Sequence, residues 1–395
     1  MQKEILKKIE NKIVFYLMVF YPIWISVGRF IPFVETILTL LIGCVLAVQQ
    51  LPKKKTFIKY ALIAVLLIIS YYMYPVTDKH IEHAKMIIIF FMSIDAINSG
   101  LYLRSIRKIF KYRNTILVQI VCILLINILL VFCDYGYSAD YEKIWHIKAF
   151  QGIYSDPHQC AYHICVLIIF MMWISQIKYS KYHIFIILGL EYCVLITGAR
   201  VPSFAAIVLG AIYFIDNFVK TKKNDVDQKS QYMIKLLITI MLFIIAAILI
   251  MNFTAFGKKM LVSIDNGNFD NGRSSLRTTD LEFFSTSTVF HKIFGSGTDA
   301  VRAYHASLKY GQEIWSHNDF LQIICGMGII MLVLYCWSWI KLLIHSKRIS
   351  INACAIVITM IMVSFMNGLY IHSRLVFVIP LLVMYMQYNA SKHCN

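Results

Sequence analysis

Charge is scarce in this chain: 15% of its 395 residues are charged against 59% hydrophobic, and mean hydropathy is +0.67. Soluble domains carry roughly 25% charged residues, so a water-surrounded globule is excluded. Proline is rare as well, seven in all. Five of the seven, Pro32, Pro52, Pro75, Pro157 and Pro202, fall where apolar runs end, as residues that disfavour helix continuation should. Pro22 and Pro380 lie inside runs and predict kinks. Ten cysteines are present, but none falls in residues 254–316, so no disulfide framework holds that polar stretch. Without Cys-x-x-Cys or a Cys/His ligand spacing, no structural zinc site is expected. Walker and Rossmann glycine patterns are lacking, which argues against a nucleotide-powered step. Neither an internal repeat nor a low-complexity tract is visible, unlike the duplications that mark many transporters.

What is there is a series of apolar runs about 17–25 residues long, the length a hydrocarbon core ~30 Å thick asks of a helix. They predict an all-α, polytopic transmembrane helical bundle of about 12 spans, near 13–31, 34–51, 57–76, 84–100, 115–133, 158–176, 183–199, 202–219, 233–253, 317–340, 351–370 and 375–388. The net charge of +17 sits in short clusters between runs. It reads as a topology signal facing anionic lipid, with no nucleic-acid partner. Alternate loops divide by charge: Lys53, Lys54, Lys55 and Lys59; Arg104, Arg107, Lys108, Lys111 and Arg113; Lys178 and Lys181; Lys220, Lys222, Lys223 and Lys229; Lys341, Lys347 and Arg348. This predicts both termini in the cytoplasm. Lys3, Lys7, Lys8 and Lys12 precede the first run as in a signal peptide, yet no small-x-small cleavage site follows, so an uncleaved first span is expected.

Two predicted external segments exceed connector length, 134–157 and 254–316, and a loop of the second size is usually functional. The chain therefore divides into spans 1–9 over residues 1–253, a large external loop over 254–316, and spans 10–12 over 317–395. Within the loop, Thr279-Asp280-Leu281-Glu282 fits a capping box, and Asp299 to Tyr310 predicts a second short helix, so a folded helical cap is expected.

Trp315-Ser316-His317-Asn318-Asp319-Phe320-Leu321-Gln322 ends that loop and runs directly into an apolar segment, with Gly326-Met327-Gly328 near its start. An imidazole set where the chain leaves water for lipid can meet a substrate that is itself half in the membrane. The His-Asn pair, a Leu three residues on, two glycines one residue apart and a long apolar tail resemble the O-antigen ligase and polymerase superfamily of Wzy/WaaL type. Those membrane enzymes transfer or polymerise glycans linked to undecaprenyl pyrophosphate.

The resemblance gives His317 the catalytic role. Its ordinary pKa near 6.5 leaves it largely neutral, able to take a proton from a sugar hydroxyl. Asn318 is a candidate to orient the imidazole or bind sugar, and Trp315 offers a face to a pyranose ring. Arg200, in Thr197-Gly198-Ala199-Arg200, matches a family element that follows a span. A lone arginine at a helix end equally snorkels to the interface, but Gly198 leaves room for a headgroup. Arg273 follows Gly272 ahead of a predicted helix, with Gly295-Ser296-Gly297 some twenty residues on, as in the family. A solvated loop arginine is the competing reading, and Arg277, one turn later, is a rival for the same anion-binding role. Arg302 and Lys309 are expected to face solvent or lipid. In Asp156-Pro157-His158, Asp156 reads as a helix cap and His158 as a secondary substrate contact. Glu191 and His163 fall within spans and call for pairing or a cavity, whereas Asp95 and Asp216 read as interfacial carboxylates.

The paired external carboxylates of metal-dependent lipid-linked glycosyltransferases are missing, so neither a metal nor another cofactor is expected. The resemblance implies a polymerase of capsule, O-antigen or exopolysaccharide repeat units, inverting and metal-independent, in the bacterial cytoplasmic membrane with its active site on the external face. Its partners would be undecaprenyl-pyrophosphate-linked oligosaccharide, membrane lipid, and chain-length regulator and flippase proteins. A ligase of the same superfamily, or a polysaccharide flippase or transporter, is the alternative.

Overall fold

The computed structural model describes residues 54–73, 79–98, 109–154, 156–178, 180–222, 248–267, 272–307 and 313–369, with Gly311 and scattered positions from 12 to 47. In chain order the helices are α1 (Tyr21–Val27), α2 (Lys54–Met73), α3 (Lys79–Asn98), α4 (Arg113–Phe132), α5 (Ala139–Trp145), α6 (Pro157–Ile177), α7 (Tyr182–Leu195), α8 (Arg200–Lys222), α9 (Ala255–Asp265), α10 (Arg273–Thr286), α11 (Val289–Phe294), α12 (Ala300–His305), α13 (Asp319–Ile349) and α14 (Ile351–Met366). Among the described residues the sole extended pairing is one antiparallel bridge, Tyr137 with Phe150. The protein is all-α.

α2, α4, α6 and α13 are long and apolar enough to cross a membrane, and α7 and α14 are shorter apolar helices. This is an integral membrane protein. The span expected near 375–388, most of those near 34–51 and 233–253, and part of that near 13–31 lie outside the described residues. Lys54 and Lys55, expected in a loop, open α2 instead, which carries Lys59 along its length. There Lys59 and the Tyr60 hydroxyl both donate to Asp95, at 2.9 and 2.8 Å, so Asp95 is a paired carboxylate. α13 also outruns its expected end at residue 340. It runs on to Ile349 and takes Lys341, Lys347 and Arg348 into the helix.

The chain forms two compact units. In the unit built from residues 26–30 and 116–269, α6 is the core. Asp156 caps it by accepting the N–H groups of His158 and Gln159 at 2.8 and 3.0 Å, with Pro157 as its first residue. Its apolar side chains go all the way round and 17 of its residues are buried, the pattern of a helix surrounded by others. α7 and α8 pack on it, and Ser175, His183 and Tyr213 form a buried hydroxyl–imidazole contact between the three. In the other unit, residues 1–25, 31–115 and 270–395, α13 is the helix on which α2, α3, α10, α11, α12 and α14 converge. Tyr335 is fully buried there, in ring contact with Phe90, Phe320 and Trp339. Stretch 254–316 is thus shared: α9 belongs to one unit and α10–α12 to the other.

Candidate active site

Residues 315–319 bring the chain from the loop into α13. Asn318 is the cap of that helix: its side-chain oxygen accepts the N–H groups of Phe320 and Leu321 at 2.9 and 3.1 Å, satisfying two donors that a helix start leaves open. The Asn318 oxygen is thereby held by the backbone and not by the imidazole. His317, half-buried, takes a left-handed conformation with φ 51°. A side chain other than glycine pays ~1–2 kcal/mol for that geometry, and such strain gathers at functional positions.

The next residue carries a role that no local pattern announces. Asp319 is 2% exposed, and three donors meet one of its oxygens: the hydroxyls of Ser364 and Tyr335 at 2.6 and 2.9 Å and the N–H of Leu369 at 2.7 Å. A buried carboxylate is tolerated only when paired or hydrogen-bonded in this way. The contact locks the head of α13 to the end of α14.

That same end of α14 receives both loop arginines. α10 starts at Arg273 behind Gly272, whose φ is 76°. Arg273 donates through Nη1 to the Met366 carbonyl at 3.0 Å and through Nη2 to the Asn367 side-chain oxygen at 2.9 Å, a cation on the negative end of a helix. Arg277, one turn further, lays its guanidinium 5.2 Å from the centre of the Phe365 ring. Phe365 in turn touches Phe320. Asp319, Arg273 and Arg277 are therefore gathered around one short stretch of chain, residues 364–369, and His317 stands two residues ahead of Asp319.

The expected capping box does not start a helix. α10 is already under way at Thr279, whose hydroxyl donates to the Ser275 carbonyl at 2.9 Å. Asp280 is fully buried and faces His305 of α12, Oδ1 to Nε2 2.9 Å. The second short helix is α12, ending at His305 rather than reaching Tyr310, which with Lys309 lies outside the described residues. Burial alone would lower the His305 pKa; its contacts with the Asp280 carboxylate and the Ile314 carbonyl outweigh that and raise it. Arg302, expected in solvent or lipid, is 5% exposed. It pairs with Glu313 at 2.7 Å and Asp299 at 3.6 Å and lies 4.2 Å over the Trp315 ring. Trp315 also meets the His83 ring at 4.5 Å, so its indole is engaged by the protein itself.

Behind these residues α13 breaks at Gly328, φ 83° and ψ 173°. The carbonyls of Cys325 and Gly326 accept instead from Ser296 N–H at 2.9 Å and Gly297 N–H at 3.0 Å, and Ser70 adds its hydroxyl to Gly326 at 2.8 Å. The two glycine pairs noted in the sequence, 295/297 and 326/328, meet here. A Cβ on Gly328 would run into the Ile293 carbonyl.

In the other unit, Arg200 is the first residue of α8 and donates to Ser263 at 2.7 Å. Gly198, φ 66°, makes room for Ala255 and Lys259 of α9, not for a headgroup. His158 bonds through Nε2 to the Tyr141 hydroxyl, and the buried Lys259 sits 4.2 Å over the Tyr141 ring. Glu191 presses against Gly210 of α8, while His163 meets the ring of Tyr154.

Residues 183–336 match the O-antigen ligase family model (Wzy_C). The match supports the O-antigen polymerase/ligase superfamily, and with it a membrane enzyme of the O-antigen ligase/polymerase type acting on lipid-linked oligosaccharide. It runs from α7 into α13 and takes in Arg200, Arg273, Arg277, Trp315, His317 and Asn318; His158 lies before it. No curated protein matches the chain.

Proposed function

We propose that this protein is a polysaccharide polymerase that transfers a growing glycan from undecaprenyl pyrophosphate to a lipid-linked repeat unit, for capsule, O-antigen or exopolysaccharide. The observation that carries the reading is His317, in a strained conformation at the head of α13, inside the family match and two residues ahead of Asp319, which bonds to the same end of α14 as Arg273. His317 takes the proton of the acceptor hydroxyl. The freed oxygen attacks the anomeric carbon from the face opposite the pyrophosphate, a new glycosidic bond forms, and the old carbon–oxygen bond breaks with inversion. The electron pair leaves on undecaprenyl pyrophosphate, whose charge the guanidinium groups neutralise. The pyrophosphate linkage supplies the driving force, and no metal or other cofactor enters the step. Arg200 and His158 keep substrate-binding roles on their chemistry alone. The reading places both termini in the cytoplasm of a bacterium, the chemistry on the external face of its inner membrane, and a flippase and a chain-length regulator as working partners.

The test is His317→Ala in cells. Single lipid-linked repeats accumulating unpolymerised on the outer face are expected; accumulation on the cytoplasmic side would mean that the protein moves lipid. The description of the matched family favours one second reading, ligase. A reconstituted assay offering a repeat unit and a lipid A core as competing acceptors separates the two.

A further inference from the structure

We infer that Gln322 is a positioning residue for His317: one turn into α13, its side-chain amide ties the residue just before the imidazole to segment 295–298 of the loop. The inference rests on the proposed role of His317 as base. It gives the task of aiming that base to a residue other than Asn318, whose side-chain oxygen is taken by the start of α13.

Ser316 and Asn318 are buried, and His317 stands half-buried between them. The Ser316 hydroxyl donates to Gln322 Oε1 at 2.9 Å, and Gln322 Nε2 donates to the Thr298 carbonyl at 2.7 Å. A backbone carbonyl only accepts, so the Thr298 contact fixes which end of the amide is nitrogen and leaves the oxygen for Ser316. Helix side chains lean towards the N-terminus, which is how Gln322, whose own N–H donates to the Asn318 carbonyl at 2.9 Å, reaches back past the helix start. His317 therefore lies between one neighbour tied by Gln322 and another that caps α13.

The tie matters because of the backbone at His317. Its φ of 51° is a conformation that an L residue leaves when nothing constrains it, so the imidazole keeps its aim only while its neighbours are held. An amide suits the task, presenting one donor and one acceptor on a single plane. Leucine offers neither, and a carboxylate would turn an acceptor towards the Thr298 carbonyl. The far end of the tie is firm as well. Ser296 and Gly297 give their N–H groups to the Cys325 and Gly326 carbonyls at 2.9 and 3.0 Å, and a Cβ on Gly326 would stand 3.0 Å from the Thr298 Cα, so segment 296–298 lies close against α13. A catalytic group displaced by about 1 Å can lose roughly a hundredfold in rate.

The experiment compares wild type, Ser316→Ala and Gln322→Leu as full-length protein in nanodiscs, with two readouts. The first is the rate at which diethyl pyrocarbonate carbethoxylates His317, followed by peptide mass spectrometry, which needs no turnover. Each variant should raise that rate about threefold or more as the bend at His317 opens. The second is chain extension on lipid-linked repeat units, counted per folded molecule. In each variant kcat should fall about tenfold or more while KM for the donor stays within about threefold. General destabilisation would lower the folded fraction and leave both readouts at their wild-type values, and that result overturns the assignment. Ser316→Ala removes a single hydroxyl and carries the test by itself should Gln322→Leu not fold: a modification rate within about twofold of wild type in that variant overturns the assignment. A rise in KM with kcat intact overturns it too, since Gln322 would then be a substrate contact. An opened bend in a protein that never extends a chain keeps Gln322 and removes the polymerase, whereas chain extension with kcat unchanged in the variants keeps the polymerase and removes Gln322.

Discussion

Ser364 donates its hydroxyl to the Asp319 carboxylate at 2.6 Å across 45 residues of chain, and Tyr335 donates to the same oxygen from 16 residues away. Each is a hydrogen bond to a buried charged group, worth about 1.5–3 kcal/mol. Ser364→Ala and Tyr335→Phe should each lower stability by about that amount, and because the two hydroxyls also touch at 2.8 Å, the double variant should fall short of their sum. Chemical denaturation of the four proteins checks it. Simple additivity would mean that the two donors act on Asp319 independently.

The Asp280–His305 pair makes stability depend on pH. The folded-state pKa of His305 is raised, so the pair's contribution is fully present below the unfolded value near 6.5 and is lost as pH rises through the raised value. His305→Gln should therefore lose most relative to wild type on the acid side, with the gap in unfolding temperature narrowing towards alkaline pH. A gap that widens instead would mean that the imidazole is held neutral.

Trp315 is engaged by Arg302 and His83, which predicts a structural role for the indole. Trp315→Ala should cost about 2 kcal/mol, the scale of a desolvated cation–π contact, and Trp315→Phe much less. Normal stability in Trp315→Phe with a large rise in KM for the glycan donor would return the ring to sugar contact.

Sidedness is tested by cysteines placed in a cysteine-free background. Asn266, exposed at the end of α9, should be labelled by an impermeant thiol reagent in intact cells. Asn224, in the basic segment after α8 and outside the described residues, should not. Labelling at Asn224 alone would put the chemistry on the wrong side for lipid-linked repeats.

The helical class was legible because apolar run length and proline placement are local properties: Asp156-Pro157 announces α6, and Gly272-Arg273 announces α10. His317 and Asn318 were legible as a motif. The capping box misled because Thr279 and Asp280 carry the right side chains for a helix start, while the packing of Leu276 and Asp280, one turn apart and both buried, fixes that segment as mid-helix. Asp319 was hidden for a different reason. Its partners Ser364 and Leu369 lie 45 and 50 residues away, and nothing local in Ser364 marks it as a donor to a carboxylate. An acidic residue at the mouth of an apolar span was the available signal, since such a group needs a partner. Arg302 was misplaced likewise, because Glu313 and Trp315 reach it only once the loop is folded.

The break at Gly328 alters what the large loop is. Gly326 lies about 10 Å along α13 from its first residue, at ~1.5 Å per residue. The Ser296 and Gly297 amides that satisfy its neighbourhood therefore reach well down the side of a membrane helix, where unsatisfied carbonyls would be costly. The part of the loop carrying α11 and α12 is thus a plug seated in a notch, not a lid resting on a rim. A transplanted loop lacking donors at 296 and 297, or a host helix lacking the notch, would leave backbone exposed in lipid. Exchanges of substrate specificity between such enzymes should therefore carry residues 289–328 as one cassette.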